Sequence, residues 1–296
     1  MEGRDLYYFE IIAKLGHLGK AAKVLFKSQP ALSHCIDRLE CEIGAQLFER
    51  AGRRIKLTPI GEKLLDRAQA LRQSHEDMVR ELQDYAYGSK GHIAVGCSPS
   101  MGAYVVPSLV AEIMRESLAI TVELSIGASG ELLNKLRARQ LDVLFSPISY
   151  LGEDITAIPF LKNDMVVAVR ENHPLLSKPY TIHDLAPYNW IVTTDSHYSI
   201  QWLTETLLAH GCQPPRIRTT INIISAMKEL ITITDSLCFL SRLHVIHDET
   251  GRLRELEIPN LVFRRICSVA YRKNDYLSPV ASRLVRLAVD KSPAPP

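Results

Sequence analysis

The chain has 296 residues, 35 Lys plus Arg against 33 Asp plus Glu for a formal net charge of +2, with 46% hydrophobic and 23% charged residues. This balance is ordinary for a globular protein and excludes a disordered or fibrous chain, while roughly 150 residues per domain suggests about two domains. So small a net charge means that any contact with nucleic acid must come from a local arrangement of cations rather than a global field.

Apolar runs such as 165–169 fall far short of the roughly 20 residues needed to cross a bilayer, so no membrane partner is expected. The start, Met1 to Asp5, lacks the apolar run of a secretory signal, which points to the cytoplasm. The six cysteines, Cys35, Cys41, Cys97, Cys212, Cys238 and Cys267, show no Cys-x-x-Cys pair and no histidines at zinc spacing. They read as reduced, mostly buried thiols, with no metal site.

In chain order, Leu6, Phe9, Ile12 and Ala13 share one helical face that stops near Gly16. A second helix follows with Gly19 as its N-cap and Ala21, Ala22 and Leu25 turned inward, then a brief turn at Phe26 and Lys27. Ser28 caps a third helix, Pro30 sits where its missing N–H does no harm, and the helix should run to about Glu42. Leu32, Ile36 and Leu39 form its buried stripe and leave Gln29, Ser33, His34, Asp37 and Arg38 outward, a polar face able to read base edges. After Gly44, the runs Leu47-Phe48 and Ile55-Lys56-Leu57 around Ala51-Gly52-Arg53-Arg54 read as a hairpin wing with two arginines at its tip.

Ser28-Gln29-Pro30-Ala31-Leu32-Ser33, with Leu47-Phe48-Glu49-Arg50, Gly52-Arg53-Arg54 and Leu57-Thr58, resembles the DNA-binding half of LysR-type transcriptional regulators from Leu6 to Leu65. The resemblance implies a winged helix-turn-helix over residues 1–58. Ser28, Gln29, Pro30, Ser33, His34 and Arg38 would then sit with the recognition helix in the major groove, and Arg53 and Arg54 with the wing beside it. His34 stands where arginine is common and carries less fixed charge, so the operator preference of relatives does not transfer.

Thr58 and Pro59 form a cap followed by a first-turn proline, after which Leu64, Ala68, Leu71, His75, Met78, Leu82 and Tyr85 recur in alternating steps of four and three. A helix from Pro59 to about Tyr87 would be roughly 43 Å long, too long to lie isolated beside so small a head, and should pair with a second chain. By pattern alone a core helix of a single domain stays open. His75 either sets the register of the seam or points to solvent at a loose crossing, and the second is favoured. The resemblance implies a linker over 59–89, a homodimer through it and a homotetramer.

Tyr87-Gly88-Ser89-Lys90-Gly91 ends that helix, and a domain boundary falls near residue 90. Strands at 93–96, 120–126 and 143–145 alternate with helices at 104–115 and 131–139. A second series has strands at 165–169, 190–192 and 218–221 with helices at 200–210 and 225–233. Such alternation means parallel sheets covered by helices, here in two α/β lobes with a cleft. The pattern is similar to the LysR effector domain, a two-lobed, type 2 periplasmic-binding-protein-like α/β fold over 90–296. Lobe I would take about 91–162 and 268–296, lobe II about 163–267, with a last strand at 269–272 and helix at 278–289 returning to lobe I.

In open α/β sheets ligands sit at the carboxyl ends of strands, where helix N-termini offer free amides to anions. Cys97-Ser98-Pro99-Ser100-Met101-Gly102 and Gly127-Ala128-Ser129-Gly130 fit, making Ser98, Ser100, Met101 and Ser129 the candidate effector contacts, with plain helix capping as the other reading of the serines. Thr193, Thr194 and Ser196 are placed to close on the ligand from the second lobe. Where the family often has a glycine-rich turn followed by proline, this chain has Ser236 and Ser241, which reshapes that wall. Cys97 lies beside the pocket at a helix N-terminus, where a lowered thiol pKa would allow redox sensing.

The leading reading is a sequence-specific DNA-binding regulator without a cofactor, bound to double-stranded promoter DNA, with RNA polymerase as a further partner. A small-molecule co-inducer, of which an anion is one candidate class, biases its two-lobed domains. An enzyme or solute-binding protein is the rival, weakened by the lack of Walker, Gly-x-Gly-x-x-Gly, His-Glu-x-x-His and Gly-x-Ser-x-Gly motifs. A nonspecific architectural DNA binder would have no use for the large α/β half.

Overall fold

The computed structural model describes residues 2–51, 54–87, 91–148, 152–194, 197–273 and 275–292. The chain divides into two compact units, Met1–Ala86 and Tyr87–Pro296.

The first unit begins with helices α1 (Gly3–Leu15), α2 (Leu18–Val24) and α3 (Gln29–Ile43). Gly16 ends α1 with φ 59°, a left-handed conformation that glycine adopts without strain, and its N–H reaches the Ile12 carbonyl. The cap of α2 is not Gly19: the helix starts at Leu18, and the His17 imidazole accepts the Gly19 N–H at 3.1 Å. An imidazole nitrogen can satisfy an orphan first-turn amide as a hydroxyl does, and a glycine has no side chain with which to do so. Ser28 caps α3 by accepting the Ala31 N–H at 3.3 Å.

The alanines let α1, α2 and α3 approach closely, and Ile12, Ala21, Ala22, Leu32 and Ile36 form one buried cluster. Leu6, Phe9, Cys35, Leu39, Leu47 and Ala68 form another. The wing strands β1 (Phe48–Ala51) and β2 (Arg54–Leu57) pair antiparallel, Phe48 opposite Leu57 and Ala51 opposite Arg54. Glu40 near the end of α3 accepts the backbone N–H groups of Leu47 at 2.7 Å and Phe48 at 3.3 Å, which ties the wing to the recognition helix.

Helix α4 (Pro59–Tyr87) starts where Thr58 accepts the Gly61 N–H at 3.1 Å and donates to the Gln46 carbonyl at 2.7 Å. Gly61 is required at this crossing, since a Cβ there would lie 2.1 Å from the Leu47 oxygen. Leu64, Leu65 and Ala68 pack into the head. Further along, Leu71, Met78 and Leu82 are 57%, 49% and 59% exposed, so the rest of the seam is uncovered in the single chain, and His75 is exposed with it. The Tyr85 side chain lies outside the described residues.

The second unit holds two five-stranded sheets. In chain order come β3 (Gly91–Cys97), α5 (Pro99–Tyr104), α6 (Val106–Glu116), β4 (Ile120–Ile126), α7 (Ser129–Arg137), β5 (Val143–Pro147) and β6 (Ile155–Lys162). Then follow β7 (Met165–Arg170), β8 (Asn189–Thr193), α8 (His197–Ala209), β9 (Arg216–Ile221), α9 (Ile224–Thr232), β10 (Leu237–Ser241), α10 (Leu243–Ile246) and β11 (Leu253–Glu255). The last elements are β12 (Ile266–Arg272) and α11 (Pro279–Asp290). The sheet orders are β4-β3-β5-β12-β6 and β11-β7-β10-β8-β9.

The sheets are mixed rather than parallel. β3 runs parallel to β4 and β5, but β12 runs antiparallel to β5 and β6, and β7 antiparallel to β10 and β11. Strand–helix alternation predicts parallel pairing only where a helix carries the chain back across its own sheet. β6 enters β7 directly through Asn163 and Asp164, and β12 arrives from the second sheet, so neither is bound to the parallel sense. The helix expected at 104–115 is two, interrupted at Val105 just ahead of Pro107, whose ring cannot follow a continuous helix.

The first sheet buries Val95, Phe145, Val269 and Leu284 on one side, and Leu132, Leu141 and Leu144 on the other. The second buries Trp190, Val192, Leu203 and Phe239 on one face and Met227, Ile231 and Cys238 on the other. The two crossovers between the sheets are stitched together, since the Asn163 N–H donates to the Arg265 carbonyl at 2.9 Å.

Candidate functional site

On the first unit, Ser28, Gln29, Pro30 and His34 are exposed at the start of α3, and Ser33 is half-buried. Their side chains stand at the N-terminal end of an amphipathic helix whose other face is fixed by Leu32, Cys35, Ile36 and Leu39, the placement that groove reading needs.

Arg38 is exposed but committed. Its Nε and Nη2 donate to Asp5 at 3.1 and 2.7 Å, and Asp5, only 3% exposed, also faces the Cys35 thiol at 3.5 Å. Burial, with the Asp5 carboxylate adding to it, pushes that thiol up to about 11. Arg38, expected on the DNA-facing side of the helix, is also engaged in neutralising a buried carboxylate, which in a low-dielectric interior is costly to leave unpaired. Arg53 and the Arg54 side chain lie outside the described residues.

Cations that the sequence reading passed over are Lys20, Lys23 and Lys27, all exposed and, among the described residues, without an ion-paired partner. Their spacing of three and four along α2 and its turn was the available signal.

Within the second unit, the carboxyl ends of strands from both sheets enclose a cavity of about 220 Å³. Ser98, Ser100 and Ser129 line it as expected. The Ser98 hydroxyl is buried and has no hydrogen-bond partner among the described residues, nor does it serve as a capping acceptor for α5. Ser100 accepts from the Asn163 amide at 2.8 Å. Ser129 opens α7 and lies 2.6 Å from Ser146.

Three expectations change. Met101 is completely buried in the core of the first sheet and does not line the cavity, because α5 turns it toward Val95 and Phe145. Thr194 is exposed in the turn beyond the end of β8, and Thr193, the last residue of the strand, and Ser199 contribute lining from this side instead. Burial pushes the Cys97 thiol up to about 11, opposite to the lowering that redox sensing needs; a short helix N-terminus does not offset the loss of solvent around a fully buried sulfur. Ser196 lies outside the described residues.

The charged group in the lining is one the sequence reading did not name. Arg265 donates its Nε to the Asn163 carbonyl at 3.2 Å, and its two Nη groups have no hydrogen-bonded or ion-paired partner among the described residues. The neighbouring carboxylate, Asp164, is held by Arg242 at 2.9 Å, and Arg242 also holds Glu255 at 2.8 Å. Burial lowers the Arg265 pKa from its ordinary value, yet a guanidinium remains charged at any physiological pH. The signal was a pair of arginines, Arg264 and Arg265, placed directly before a hydrophobic strand.

His244, also in the lining, bonds the Tyr104 hydroxyl at 3.1 Å and is lowered to about 4 by burial, with the Lys228 and Arg265 charges adding to it. It is a neutral imidazole at pH 7. A second, open cavity of about 680 Å³ shares Ser129, Ser199 and Arg265 with the first and adds Tyr198 and Phe263. The two adjoin through these shared residues.

Residues 4–62 match the family described as bacterial regulatory helix-turn-helix protein, lysR family, and residues 87–293 match the LysR substrate binding domain. YybE of Bacillus subtilis (strain 168), an uncharacterized HTH-type transcriptional regulator, is 28% identical over 286 residues, 95% of this chain and 96% of its own. A full-length OxyR variant from Pseudomonas aeruginosa has the same fold, with a TM-score of 0.65 at 21% identity over 99% of this chain and 96% of that one. So has full-length CbnR, solved with its target DNA, with a TM-score of 0.65 at 21% identity over 98% and 99%. This chain therefore belongs to the LysR family: it is a DNA-binding transcription regulator with an effector-binding domain, and not an enzyme.

Proposed function

We propose that this regulator reads promoter DNA with Gln29, Ser33 and His34 of α3, holds the phosphate backbone with the wing and with Lys20, Lys23 and Lys27, and responds to a small anionic effector. The observation that carries the effector class is Arg265, a cavity-facing cation whose Nη groups are left unsatisfied while the carboxylate beside it is taken by Arg242. A half-buried guanidinium whose nearest carboxylate, Asp164, is hydrogen-bonded to another arginine is under-neutralised, and an anionic ligand relieves that. The first-turn amides of α7 supply further donors.

The functional divisions are a head over 1–58, a linker helix over 59–89 and an effector domain over 90–296. The occupant of the uncovered α4 seam is a second copy of this chain. An apolar groove of about 510 Å³ lined by Leu6, Tyr7, Ala68 and Leu71 continues that seam, and a second α4 presents the same heptad spacing to it. Pairing of heads places two recognition helices on successive turns of the duplex, and a dimer of dimers, a homotetramer, holds four. The effector acts by favouring one arrangement of the two lobes, which changes the spacing of the heads and their access to RNA polymerase in the cytoplasm.

Footprinting on the DNA beside the gene, with and without small carboxylates, tests the reading. Protection confined to short sites whose extent changes with a carboxylate supports it, and equal protection of all sequences excludes it.

A further inference from the structure

The polar wall of the cavity is organised by one asparagine at the crossover between the sheets. Asn163 is 1% exposed; its Nδ2 donates to Ser100 at 2.8 Å, and its Oδ1 accepts the hydroxyl proton of Ser241. Both serines line the cavity, Ser100 from α5, which follows β3 of the first sheet, and Ser241 from the end of β10 in the second.

The direction of each proton is given by the partners on the two sides of the amide. The Asn163 Nδ2 has two N–H groups and meets two acceptors, Ser100 Oγ at 2.8 Å and the Cys267 sulfur at 3.6 Å. The amide oxygen lies on the other side and accepts the Ser241 hydroxyl, whose Oγ in turn accepts the Leu243 N–H at 3.3 Å. Ser100 accepts there and keeps its proton, for which no acceptor exists among the described residues. The backbone carbonyl of the same asparagine holds Arg265 Nε at 3.2 Å. Asn163 thus fixes both a hydroxyl and a guanidinium as donors. Ser100 and Arg265 together offer donors to one small volume.

We infer that Asn163 is a positioning residue that sets the hydrogen-bond polarity of the effector cavity, and that through Ser241 and Ser100 it selects a carboxylate or similar acceptor-only group over its amide. Ser241 occupies the place where the family resemblance leads one to expect proline, which has no hydroxyl to orient the amide, so the device belongs to this chain's own sequence. The inference rests on the reading of the cleft as an anion site.

The test is calorimetric titration of the full chain with paired probes: acetate and acetamide, benzoate and benzamide, succinate and succinamide. The quantity read is the ratio of amide to carboxylate Kd for the tightest pair. Ser241→Ala releases the amide to rotate and take the Ser100 proton, so the ratio should fall about tenfold, the scale of one hydrogen bond to a charged group. Ser100→Ala should lower it similarly, and Ser241→Ala should then add nothing, because it acts through Ser100. Asn163→Asp should lower it furthest, its carboxylate drawing both serine protons away from the ligand.

An unchanged ratio in Ser241→Ala overturns the inference, and so does an equal fall in the Ser100→Ala background, which marks a general structural effect. If Asn163→Asp does not fold, the two serine variants decide alone. Carboxylate binding that is undiminished in Arg265→Met, or absent from the unaltered chain, overturns the anion reading itself and the inference with it. Loss in Arg265→Met with no change in Ser241→Ala removes the inference and leaves the reading standing.

Discussion

Arg38 closes on Asp5 through two N–H···O contacts of 2.7 and 3.1 Å, joining the recognition helix to the first helix of the head. Asp5 is buried and Arg38 is not, so removing the arginine leaves a carboxylate without its counter-charge. Arg38→Gln should lower the urea midpoint of the head's unfolding while leaving the salt dependence of DNA binding unchanged. A salt slope reduced by about one unit would place Arg38 on a phosphate instead.

Groove reading and backbone holding separate cleanly by sequence dependence. Gln29→Ala should cost about 1–3 kcal/mol on the cognate operator and little on random DNA, as measured by fluorescence anisotropy. Lys27→Ala and Arg53→Ala should weaken both DNAs alike and lower the salt slope by about one unit each. Equal losses on both DNAs for Gln29→Ala would exclude base reading.

The α4 seam predicts assembly. Leu71→Glu with Met78→Glu places repelling charges where two apolar ridges meet, and light scattering should report monomers. Retention of the native mass would assign those exposed side chains elsewhere.

His244 gives a pH signature. Its folded pKa, lowered from an ordinary 6.5 to about 4, means that between these values the unfolded chain binds a proton that the folded chain does not. Stability from this group is complete above pH 6.5 and declines as pH falls toward 4, by about 3 kcal/mol at the low end on the linkage scale. Denaturant unfolding of His244→Gln across that window should decline less by about that amount. Identical slopes in both proteins would contradict the burial of a neutral imidazole.

Cys97 works in the other direction. A thiol raised from 9 to about 11 stays protonated in the folded chain at neutral and mildly alkaline pH. Its contribution to stability is therefore present below pH 9 and lost as pH rises toward 11. Iodoacetamide at pH 8 should modify Cys97 only after unfolding, as read by peptide mass spectrometry, and rapid labelling of the native chain would restore the redox reading.

Legibility from sequence follows the range of the interactions. Leu32, Ile36 and Leu39, and the caps at Ser28 and Thr58, were readable because helix periodicity and capping act within a few residues. Ser98, Ser100 and Ser129 were readable because a strand–loop–helix order fixes where a helix N-terminus points. Asn163 and Arg265 were not, since their roles arise from pairing between two crossovers far apart in the chain. Nor was the choice of Thr193 over Thr194, which depends on where β8 ends, and strand ends are poorly fixed by local sequence. The antiparallel β12 escaped for the same reason as Arg265: its partners are set by a return from the second sheet.

An anion on Arg265 is expected to control the grip on DNA. Operator affinity read by anisotropy, with and without the tightest-binding carboxylate, for the unaltered chain and for Arg265→Met, decides this. The carboxylate should shift the affinity of the unaltered chain by about fivefold or more, the usual scale of coupling between two sites. Arg265→Met should keep the ligand-free affinity and lose the shift. An Arg265→Met chain that responds to the carboxylate as fully as the unaltered one would contradict the account.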